Sequence, residues 1–78
     1  MSAEQRLVWL LEARAEAREC VVVLLHELDA LRLLHRHTAP QKRFLVDRLT
    51  EVVRRDRELG RDILCARADF AAEAELAP

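Results

Sequence analysis

The chain has 78 residues with 13 Lys and Arg against 14 Asp and Glu, a formal net charge of -1, so it holds one domain at most and removes only about 60 to 65% of its unfolded surface from water on folding. Its charge signs are interspersed, which argues against the basic face that nucleic-acid binding needs. The longest apolar run, Cys20 to Leu25, is six residues, far short of the roughly 20 that cross a bilayer, and no signal-peptide pattern is present, so a cytoplasmic protein with no membrane segment is expected.

One Gly, two Pro and no Tyr in a chain dominated by Ala, Leu, Arg and Glu predict helices and no strands. Ser2 followed by Gln5 forms a capping box that starts helix 1. From there Leu7, Leu10, Arg14, Ala17, Val21, Leu24, Leu28, Leu31 and His35 recur at alternating gaps of three and four, a heptad seam. Helix 1 is expected over about 3–36, with His35, Arg36 and His37 as cations suited to its C-terminus.

A turn over about 37–40 follows, because Thr38 and Gln41 form a second capping box and Pro40 is tolerated in a first helical turn. Helix 2 is expected over about 41–74 with the seam Leu45, Leu49, Val52, Asp56, Leu59, Ile63, Ala66 and Phe70. The predicted fold is therefore an all-α antiparallel two-helix hairpin, coiled-coil-like, with a possible break in the second helix at Gly60.

The two seams mirror each other about Pro40, so facing residue numbers are expected to add to 80, pairing Leu31 with Leu49, Leu28 with Val52, Val21 with Leu59, Ala17 with Ile63 and Leu10 with Phe70. That register sets Gly60 opposite Cys20 and Cys65 opposite Ala15. Both cysteines then read as small buried hydrophobes in a reducing compartment, not as a disulfide. Arg14 and Asp56 interrupt the seams without facing each other. They read as side chains snorkelling from the seam edge, as a polar layer, or as partners for charges on another protein.

Helix 1 carries more apolar surface than one neighbour can cover. Val8, Leu11, Ala15, Val22, Leu25 and Leu33 form a second stripe beside the seam, interrupted by Arg18 and Asp29, while Trp9, Val23 and Leu34 lie off both. Helix 2 has a charged outer face with few off-seam apolar residues, Phe44, Val46, Val53 and Leu64. Its run Arg54, Arg55, Arg57 and Arg61 is interleaved with Asp56, Glu58 and Asp62, and reads as a solvated face with pairs such as Glu51 with Arg55 and Arg54 with Glu58. Since covering a Leu or Val is worth about 1.5 to 3 kcal/mol, a second polypeptide is expected to shelter the stripe. The expected partner-binding residues are Val8, Trp9, Leu11, Ala15, Arg18, Val22, Leu25 and Leu33.

No residues converge as an active site, and no cofactor is expected. His26, His35 and His37 lack a metal-ligating spacing. The stretch Glu27 to Arg36 looks like part of the first helix of helical chorismate mutases. However, the only lysine, Lys42, falls in the turn region, and too little chain follows for a third helix. An enzyme is therefore not expected.

Arg6-Leu7 with Leu10-Leu11, Arg14 with Glu16-Ala17, the ladder Leu24, Leu28 and Leu31, Pro40-Gln41, Leu49 with Glu51, and Ile63 with Arg67 together resemble the small two-helix co-chaperones of type III secretion systems, the YscE and SsaE type. The resemblance covers nearly the whole chain. It implies a cytoplasmic hairpin that pairs with a larger tetratricopeptide-like chaperone, stabilises it, and helps keep the needle subunit unpolymerised before export, with self-association when that partner is missing. Leu11, Val22, Leu25 and Leu33 would be the anchors. The competing expectation is a homo-oligomer, two hairpins forming a four-helix bundle with an adaptor or structural role.

Overall fold

A computed structural model describes residues 2–34 and 39–76. It contains two helices, α1 (Ala3–Leu34) and α2 (Ala39–Leu76), packed side by side along their length with no strand among the described residues. The rod measures 64 × 15 × 14 Å. Its radius of gyration of 17.9 Å is well above the about 11.5 Å of a compact chain of this length.

The first capping box forms as the sequence predicts: the Gln5 amide donates to Ser2 Oγ and the Ser2 amide donates to Gln5 Oε1, both at 3.1 Å. These bonds satisfy two amides that have no intrahelical partner at a helix start. The second box rests on Thr38, which with His35, Arg36 and His37 lies outside the described residues. α2 begins at Ala39 and runs to Leu76, two residues further in each direction than expected. Pro40 sits in its first turn, where no amide is needed, and α2 runs unbroken through Gly60.

Two apolar clusters make the core. Near the open end Leu10 packs with Leu59, Ile63 and Ala66, flanked by Leu7, Ala13 and Ala17. Towards the turn Leu24 packs with Leu45 and Val52, flanked by Val21, Leu28, Leu31 and Leu49. All are seam positions except Ala13 and Cys20, the latter also packed against the second cluster, so the heptad reading identified the inner faces. Phe70, the last seam residue of α2, is instead exposed.

The axial register differs from the expected one. The end of α1 at Leu34 and the start of α2 at Ala39 add to 73, the ion pair Arg6–Asp69 adds to 75, and both Arg18 with Asp56 and Arg14 with Gly60 add to 74. The offset from 80 is five to seven residues, close to one heptad. The mirror lies between the helix ends and not at Pro40, which belongs to α2. Because a heptad shift brings the same stripe back to the interface, the seams are unchanged while every pairing moves. Leu10 meets Ile63 in place of Phe70, and Gly60 meets Arg14 in place of Cys20.

Arg14 and Asp56 consequently come within reach of each other, Arg14 lying opposite Gly60 and extending about one turn along the seam to Asp56, which Arg18 faces. Arg14 Nε donates to Asp56 Oδ1 at 3.2 Å, and Arg18 Nε reaches the same oxygen at 3.4 Å. This polar layer separates the two apolar clusters. The cysteines also depart from expectation, since Cys20 is half-buried and Cys65 exposed, both as free thiols. Cys65 is two residues beyond the buried Ile63, which turns it about 200° away from the seam.

Candidate protein-binding face

The second stripe of α1 is solvent-facing. Leu11 is 44% exposed, Leu25 49%, Val22 53% and Leu33 67%. Val8 and Ala15 are exposed on the same side. The cause is angular: the stripe is centred about 115° round α1 from the seam, so α2, which covers the seam, leaves it open.

The eight residues expected to bind a partner do not all meet. Val8, Leu11, Ala15, Val22, Leu25 and Leu33 share the face. Arg18 borders it, but its guanidinium also serves Asp56. Trp9 lies across the seam, over a groove with Ala13, Glu16, Cys20 and residues of the other flank of α2, including Arg48 and Glu51, so it does not belong to this face. Its position off both stripes already indicated this.

α2 contributes residues that the sequence reading left out of the site. Val46 lines a groove with Leu25, Leu28, Leu31 and the Asp29–Arg32 ion pair of 2.9 Å. Leu64 lines another with Leu11 and Ile63. Val46 and Leu64 are eighteen residues apart, five full turns, and that interval is the signal that places them on one side of α2. The apolar face therefore spans both helices, with a half near the turn around Leu25 and Val46 and a half near the open end around Leu11 and Leu64.

The charge run of α2 is sorted by the helix. Arg54 and Arg55 both approach Glu58 at 4.0 Å, while Glu51 pairs with Arg48 at 3.6 Å and not with Arg55 as expected. Asp56 turns into the seam. Among the described residues no group of His, Cys, Asp and Glu could hold a metal, no buried side-chain polar atom lacks a hydrogen-bond partner, and no helix is long and apolar enough to cross a membrane.

The exposed area is 6329 Å2, whereas a compact monomer of 9.0 kDa exposes about 4,900 Å2. The surplus, roughly 1,400 Å2, exceeds the roughly 800 Å2 that each partner buries in a standard interface. Fold and face together define an all-α antiparallel helical hairpin with one side left apolar. No protein family, curated protein or solved structure matches the chain.

Proposed function

We propose that this chain is a non-enzymatic, protein-binding hairpin that lays the face of Leu11, Val22, Leu25 and Leu33 into a groove of a larger helical protein. One observation carries the reading: these four large apolar side chains, 44 to 67% exposed, stand open along one side of the rod. Apolar side chains at spacings of three and four on a preformed helix suit the helix-in-groove mode of recognition. Preformation also lowers the ordering cost of binding.

The resemblance to type III secretion co-chaperones supplies the candidate partner. It is a tetratricopeptide-like chaperone in the cytoplasm, stabilised by the hairpin so that the pair keeps the needle subunit from polymerising before export. The hairpin contributes surface and no chemistry.

The experiment is co-expression of the tagged chain with a tetratricopeptide chaperone and a needle subunit of a type III secretion system, followed by affinity capture and size exclusion. A stable complex that Leu25→Asp abolishes without loss of helicity is the expected result. A chain that ignores the chaperone and alone melts cooperatively as a tight dimer would replace this reading with the homo-oligomeric bundle.

A further inference from the structure

The groove at the open end has a charge character unlike the rest of the molecule. Leu11, Ile63 and Leu64 form its floor, and Arg14, Arg57, Arg61 and Arg67 surround it with no carboxylate in the lining. The other grooves bordered by cations also hold acids: Asp29 with Arg32 and Lys42 near the turn, Asp47 with Arg43 beside Phe44, and Glu16 and Glu51 with Arg48, Arg54 and Arg55 below Trp9.

Arg14 is engaged by Asp56. Arg57, Arg61 and Arg67 are exposed and have no hydrogen-bond or ion-pair partner among the described residues. Arg57 and Arg61 stand one helical turn apart, an arrangement of like charges that disfavours the helix carrying it. Within the hairpin this segregation brings no compensating contact, in a chain whose acids slightly outnumber its bases. Guanidinium groups grip carboxylates through paired hydrogen bonds, and more strongly where apolar surroundings exclude water.

We propose that this groove receives an acidic amphipathic helix of the partner protein, with apolar side chains on Leu11 and Leu64 and flanking Glu or Asp side chains on Arg57, Arg61 and Arg67. The proposal rests on the reading of this face as a docking surface and adds the chemistry of what docks. A protein segment fits better than a nucleic acid, because a phosphate backbone would lie against the apolar floor and the basic patch ends after three free arginines.

The test uses a fluorescent synthetic peptide of about 18 residues, a helix with Leu on one face and Glu on both flanks, beside the same peptide with Lys in place of Glu and a labelled DNA duplex. Anisotropy should report binding of the Glu peptide alone, weakened about tenfold or more when salt rises from about 50 to about 300 mM. The double variant Arg57→Glu with Arg61→Glu, checked for unchanged helicity, should lose the Glu peptide and gain the Lys peptide. Failure of the Glu peptide to bind, or binding of the duplex in its place, overturns the proposal. Equal binding of both peptides, abolished by Leu11→Asp or Leu64→Asp but indifferent to the arginines, overturns it while leaving the docking face intact.

Discussion

The guanidinium of Arg14 lies over Gly60, with its Nη2 atom 3.1 Å from where a Cβ would stand. Gly60 thus gives Arg14 room to cross the seam and reach Asp56. Inside a helix, Gly costs about 0.5 to 1 kcal/mol relative to Ala. A methyl group need displace only the far end of a flexible side chain by a few tenths of an ångström. Gly60→Ala should therefore stabilise the hairpin by about 0.5 kcal/mol, whereas Gly60→Leu should expel Arg14 and destabilise it. Urea unfolding of the two variants measures both, and a loss of stability in the alanine variant would mean that Arg14 cannot yield.

Among the described residues Asp56 is the sole acceptor for Arg14 and Arg18. Removing it in Asp56→Ala leaves Arg14 beside apolar neighbours without a counter-charge and should cost about 1 to 3 kcal/mol in thermal or urea melts. Replacing both partners in Arg14→Leu with Asp56→Leu should preserve helicity and stability while admitting the register shifted by one heptad. Spin labels on Cys20 and Cys65 would read the difference. Their positions along the rod are about 18 Å apart in the observed register and about 8 Å apart in the shifted one. A single short-range or long-range population unchanged by the double substitution would show that the turn alone sets the register.

Leu24 and Leu25 are adjacent in sequence and opposite in environment, the first buried in the core near the turn and the second about half exposed. Leu24→Asp should unfold the hairpin, since it places a charge in a cluster where a leucine is worth several kcal/mol. Leu25→Asp should keep its circular dichroism spectrum and lose the partner. If the two variants unfolded alike, the division between inner and outer faces would fail.

Leu59 is the large side chain most completely enclosed, at 1% exposure. Leu59→Ala should cost about 2 to 5 kcal/mol, enough to leave so small a domain largely unfolded at room temperature. Chemical denaturation followed by far-UV circular dichroism checks this.

The inner faces of both helices were legible because residues such as Leu10, Leu24, Val52 and Ile63 repeat at heptad spacing, and that period identifies a face wherever the chain turns. The axial offset was not, because a pattern that repeats every seven residues matches itself after a shift of seven. Only contacts such as Arg14 with Asp56, made once along the rod, break that degeneracy. The outer stripe of α1 was legible for the same reason as the seam. The contributions of Val46, Leu64 and the unpaired arginines were not, because which flank of α2 lies beside Leu11 depends on how the helices are juxtaposed.

The polar layer of Arg14, Arg18 and Asp56 divides the core into two clusters that share only Ala17. Each half can then loosen with little disturbance of the other, because few apolar contacts cross the divide. Amide exchange should resolve two levels of protection along one continuous pair of helices.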